Sequence, residues 1–195
     1  MQYVTDAQEF YKLLKKKENF VKVDNLTDSQ VAELLLFCCQ NPPKTIFGKM
    51  SAVNKLVKGL VKSGLIPKIK VKFNLFGKGL ASMFDRGEIV FYKQFLFNQA
   101  YLESVVTVIH EIAHVYLWSS KDYCSLKECD ADFLNKYVTD QSQTVLCPIE
   151  YYANETTISW LEQVLSLLLD KERANSIRQS IERLKEKINK AKQKI

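Results

Sequence analysis

Eleven residues, Val105 to Val115, constrain this chain more than any others. Seven of them are aliphatic (Val105, Val106, Val108, Ile109, Ile112, Ala113 and Val115), and they surround the chain's only two histidines, His110 and His114. Apolar residues almost all round a helix predict burial. Two buried imidazoles then need partners, because an unpaired polar group in an apolar interior costs about 2–7 kcal/mol. Four residues apart on an α-helix, the two rings lie one above the other on one face, so both can converge on a single ion. Glu111, next to the first histidine, can then act as general base on a water that the ion activates. Zn²⁺ suits that task because it lowers the pKa of a bound water to about 7.

The segments around this helix read as α+β. Three amphipathic helices open the chain. The first follows Thr5 or Asp6 and carries Phe10, Tyr11, Leu13 and Leu14, and the second follows Thr27, with Gln30 as its capping-box partner, and runs to Cys39. Asn41-Pro42-Pro43 ends it, and a third spans about Ser51 to Ser63 and stops at Gly64. The period then changes. Lys68-Ile69-Lys70-Val71-Lys72-Phe73 alternates strictly, as a half-buried strand does. Leu80 to Phe84 and Glu88 to Phe91 flank Asp85-Arg86-Gly87, a hairpin turn with Gly where a positive φ is needed, which predicts a small sheet of three strands. Gly77 and Gly79 beside Lys78 read as a turn rather than a phosphate loop, since no helix starts in the right place. The histidine helix runs from about Asn98 to Ser119 and another from about Leu126 to Val138. Cys147-Pro148 reads as a break, and helix resumes from about Thr156 to the end, interrupted near Lys171.

A catalytic zinc has three protein ligands and an open position, so a third ligand is needed. No further histidine exists, and the next helix offers Glu128-Cys129-Asp130-Ala131-Asp132. Glu128 and Asp132 share one face, so Glu128 can ligate while Asp132 accepts the second N–H of a ligand histidine. Asp130, about 200° round the helix from Glu128, is expected to point away.

At these residues the chain resembles the zincin metallopeptidases of the gluzincin branch, in which His-Glu-x-x-His is followed by Glu-x-x-x-Asp on a second helix. Hairpin, motif helix and second helix come in the order of the SprT-like, ImmA/IrrE and minigluzincin peptidases, a likeness covering roughly residues 65 to 140. The metzincin pattern does not fit, because Leu117 and Ser120 stand where its Gly and third His belong. Peptide deformylase is disfavoured by the absence of its upstream Gly-Cys-Leu. With the helices read at both ends, the expected fold is α+β, a small three-stranded sheet packed on a zincin-like helix with helical additions: residues 1–64 as an N-terminal helical segment, 65–150 as the catalytic core and 151–195 as a basic helical segment, together one compact domain. The resemblance implies zinc-dependent hydrolysis of a protein or peptide substrate. The substrate would be bound as an extended strand along Leu80 to Phe84, with an oxyanion stabiliser for which Tyr123, Tyr137, Tyr151 and Tyr152 are chemical candidates.

Charge and cysteines bound the rest. From Lys171 to Ile195 nine Lys or Arg face three Glu, a surplus equal to the chain's whole net charge of +6. Such a tail could meet nucleic acid, an acidic membrane surface or an acidic partner, but Ile177, Ile181, Leu184, Ile188, Ala191 and Ile195 form a heptad-like stripe that explains it as a packed helix with a solvated face. The rival functions are a zinc-containing regulatory or binding protein without turnover, and an SprT-like nucleic-acid-associated protease anchored by the tail. Five irregularly spaced cysteines make a poor disulfide framework and read as reduced; Cys124 and Cys129 lie near enough to the motif to be weighed as ligands but form no CxxC pair. With no apolar membrane span and no signal-peptide pattern, the expected compartment is the cytoplasm.

Overall fold

Local caps fix where the first helices begin in the computed structural model, which describes residues 3–16, 20–39, 43, 45–77, 79–84, 87–99 and 101–195. Asp6 accepts the backbone N–H of Glu9 at 2.7 Å and starts α1 (Ala7–Lys15). The capping box read at Thr27 and Gln30 is present: Gln30 Oε1 accepts the Thr27 N–H at 2.9 Å and Thr27 Oγ1 accepts the Gln30 N–H at 3.4 Å, opening α2 (Asp28–Cys39). Thr45 caps Gly48 at 3.0 Å, so α3 (Ile46–Lys62) starts one turn earlier than the apolar spacing from Ser51 suggested. The stop at Asn41-Pro42, the turn at Asp85-Arg86 and Lys78 lie outside the described residues.

The chain then turns to strands: β1 (Lys70–Asn74), β2 (Ala81–Phe84) and β3 (Glu88–Tyr92). The central β3 pairs parallel with β1, Val71 opposite Ile89, and antiparallel with β2, Met83 opposite Ile89. Glu88, Ile89, Val90 and Phe91 are all buried, and Lys72 Nζ lies 2.7 Å from the Glu88 carboxylate, which gives that inward charge a partner. Gly87 has φ +72°, and a Cβ there would come 3.1 Å from the Trp118 ring. Glycine is thus required both by the turn and by the closeness of the hairpin to the helix that carries the histidines.

After α4 (Lys93–Phe97) that helix is α5 (Tyr101–Trp118). Val105, Val108, Ile109, Ile112, Ala113, Val115 and Leu117 have no exposed surface, so the burial read from the sequence is realised. α6 (Tyr123–Tyr137) is followed by a 3₁₀ turn over Gln141–Leu146, α7 (Pro148–Leu165) and α8 (Lys171–Lys192). α7 overturns one expectation: Cys147-Pro148 does not break the chain but starts a helix eight residues before Thr156. Proline at the first helical position loses no hydrogen bond, because that N–H has no acceptor in any helix, and its fixed φ already suits one.

α7 packs on α5, and both terminal helices close on the same core. Phe10 of α1 makes edge-to-face contacts with Phe133 of α6 and Tyr151 of α7 at centroid distances of 5.5 and 5.6 Å. Ala174, Ile177, Ile181, Ile188 and Ala191 of α8 are buried, so the stripe read in the basic tail packs on the body. No helix among the described residues is long and apolar enough to cross a membrane.

Candidate metal centre

Because α5 places His110 and His114 on one face, their Nε2 atoms come within 3.1 Å of each other. The third group is Glu150, in the first turn of α7: Oε2 lies 3.5 Å from His110 Nε2 and Oε1 3.2 Å from His114 Nε2. These three side chains form a group able to hold a metal ion. The fit can be tested on distances alone. An ion bound tetrahedrally by ligands at about 2.0–2.1 Å holds those ligands roughly 3.3–3.4 Å apart, which matches the triangle formed here. A proton shared between two imidazoles can serve one contact at a time, whereas a cation satisfies three converging lone pairs together. Burial alone would push the Glu150 carboxyl up, but hydrogen bonds from His110 and His114 and their charge hold it well below the usual carboxylate range. Its place at a helix N-terminus favours the same ionised form.

Glu111 is buried, 7% exposed, and shares with His110 and Glu150 a cleft of about 230 Å³. Leu80 and Ala81, Val106 and Thr107, Asn154 of α7, and Leu184 and Lys187 of α8 complete its walls.

The structure does not bring Glu128 and Asp132 to this centre. Both are exposed on α6, and Asp132 pairs with Lys136 at 2.6 Å. Glu128 and Asp130 do lie on different sides of α6, but the half-buried one that turns towards the body is Asp130 and not Glu128. Leu126, Cys129 and Phe133 are the buried face of α6, and their spacing marks that side in the sequence, with Asp130 beside it. Asp130 Oδ1 accepts the backbone N–H of Ile149 at 2.8 Å, immediately before Glu150. Burial raises its carboxyl, the Ile149 hydrogen bond opposes that, and Glu150 and His114 act on it with opposite signs. Glu150 lies in the stretch before Thr156 that the sequence presents as a break and the structure folds as the first turn of α7.

The remaining candidates fall elsewhere. Burial pushes the Cys129 and Cys147 thiols up to about 12, so both stay protonated and are poor ligands; Cys124 is exposed. The Tyr152 hydroxyl accepts the Val4 N–H at 2.8 Å, the Tyr151 hydroxyl accepts from Lys192 at 2.9 Å, and Tyr137 stacks on Tyr11 at 4.1 Å. None of these, nor Tyr123, lines the cleft.

No protein-family model matches the chain, and neither a curated protein nor a solved structure matches it significantly.

Proposed function

We propose that this chain is a zinc-dependent metallopeptidase of the zincin type, in which His110, His114 and Glu150 hold the ion and Glu111 is the general base. The observation that carries this reading is the convergence of two imidazole nitrogens and one carboxylate at 3.1–3.5 Å, with a second, buried carboxylate in the same cleft. Zinc held there would supply a Lewis acid and lower the pKa of water at the site to about 7. Glu111 takes the proton from the attacking water and returns it to the departing amine. Glu150 and Asn154 stand at the Glu-x-x-x-Asp spacing of gluzincins, but with Asn in place of Asp and no hydrogen bond from Asn154 to either histidine among the described residues. β2 packs against α5 and pairs only with β3 among the described residues, leaving an edge on which an extended peptide can form main-chain hydrogen bonds.

A zinc-containing protein without turnover is the less economical reading. Structural zinc sites close with four protein ligands, whereas the group here has three. The test is hydrolysis of unstructured protein and of a peptide library by the zinc-loaded chain. Glu111→Gln should lose turnover by about 10²-fold or more, the scale of general-base catalysis, while keeping its zinc. Undiminished cleavage by that variant would remove the proposed base from the reaction.

A further inference from the structure

Two groups in the cleft have no part in the reaction as proposed. Asn154 stands one helical turn beyond Glu150, is 4% exposed, and its side chain makes no hydrogen bond with any described residue. Its amide lies on the wall of the cleft, where a bound ligand can hydrogen-bond with it. Lys187 reaches the same cleft from α8. Its neighbours along α8 are all engaged: Arg183 with Glu103, Lys185 with Glu162, Lys190 with Glu186, and Lys192 with the Tyr151 hydroxyl. Lys187 has no such partner among the described residues, and it pairs with neither Glu111 nor Glu150.

The two groups come from helices packed on each other. One is a neutral donor and the other a cation, and both sit beside Val106 and Leu184, whose apolar surface strengthens any charge pair formed there. A dication held by one carboxylate and two neutral imidazoles, with Glu111 and Lys187 cancelling, leaves the cleft net positive. We propose that Asn154 and Lys187 form a carboxylate-binding subsite beside the metal ligands, so that preferred substrates carry a carboxylate next to the scissile bond. This rests on the peptidase reading and names its substrate class. The carboxylate has two sources, an acidic side chain or the free C-terminus of the substrate.

The experiment is calorimetric titration of the full-length Glu111→Gln protein, purified with zinc present. Three hexapeptides of one backbone serve as probes: one with Glu beside the bond that wild type cuts and an amidated end, one with Gln there and an amidated end, and one with Gln and a free carboxylate beside that bond. If wild type cuts none of them, the same Glu and Gln positions are scanned along the peptide. At least one carboxylate peptide should bind about tenfold tighter than the neutral one, the worth of one charge-assisted hydrogen bond. Which one does so identifies the source. Adding Lys187→Met should abolish the difference and Lys187→Arg should keep it; Lys187 is exposed, so neither threatens the fold. Equal binding of all three peptides, or a preference that survives Lys187→Met, overturns the subsite. If wild type cleaves no peptide yet the Lys187-dependent preference persists, the peptidase reading fails and the subsite stands.

Discussion

The Asp130 carboxylate accepts the backbone N–H of Ile149 at 2.8 Å, one residue before Glu150, the carboxylate that meets both histidines. This bond ties α6 to the first turn of α7, where helical N–H groups lack intrahelical acceptors, and so fixes where the Glu150 side chain begins. Asp130→Ala should lower zinc affinity about 10–100-fold, as loss of an outer partner of a ligand typically does. Asp130→Asn, which keeps an accepting oxygen, should lose much less. Competition with a chromophoric chelator measures both.

Much of this centre could be read in the sequence, and the part that could not has a physical cause. His110, Glu111 and His114 are encoded locally, since spacing on one helix settles their common face. The strand at Lys70–Asn74 and the cap at Thr27–Gln30 are local in the same sense. The placing of Glu150, the proposed third ligand, is a tertiary matter, because it depends on which side of α6 is turned inward and on where α7 starts. Leu126, Cys129 and Phe133 carried the first signal. Pro148 carried the second, but proline marks a helix start as readily as a chain break, and only the packing of α7 on α5 decides between them.

α8 is a core element, and its charge is incidental to that role. Ile181→Ala should destabilise the protein by about 2–5 kcal/mol, the usual result of truncating a buried Ile, read from urea unfolding. Deletion of residues 171–195 should leave an insoluble or unfolded chain. A folded, zinc-loaded remainder would show instead that the basic segment is a dispensable arm.

Lys49 is buried and pairs with no carboxylate among the described residues. Its Nζ donates to the Phe95 carbonyl at 2.7 Å and the Gln99 carbonyl at 2.9 Å, and it lies 4.7 Å from the centre of the Phe95 ring. These contacts clamp α3 to α4 and to the loop that leads from it into α5. Lys49→Met should cost about 1–3 kcal/mol, because two carbonyls lose their donor, with zinc content unchanged. Burial lowers the Lys49 pKa below its ordinary 10.5. The unfolded chain therefore binds the extra proton in the window just below 10.5, and stability gains a rising contribution with pH there. The Met variant should lack it in unfolding curves measured between pH 8 and 10.5.

Asp140 acts in the opposite pH range. Hydrogen bonds from the Ser142 hydroxyl and backbone N–H, and then from Lys194, lower its carboxyl from 3.8 to about 2. A depressed carboxylate stabilises the fold above its unfolded pKa, and that contribution disappears as pH falls from about 4 towards 2. Asp140→Asn should flatten the acid limb of a thermal-stability profile over that interval, being less stable than the native protein at pH 7 and converging with it near pH 2.

The most direct test of the metal centre is zinc content by elemental analysis in three full-length proteins: native, Glu150→Ala and Glu128→Ala. The geometry predicts about one zinc per chain in native protein and in Glu128→Ala, and a large loss in Glu150→Ala. Zinc that is retained without Glu150 but lost without Glu128, or native protein that stays metal-free when offered zinc, would contradict the centre described here.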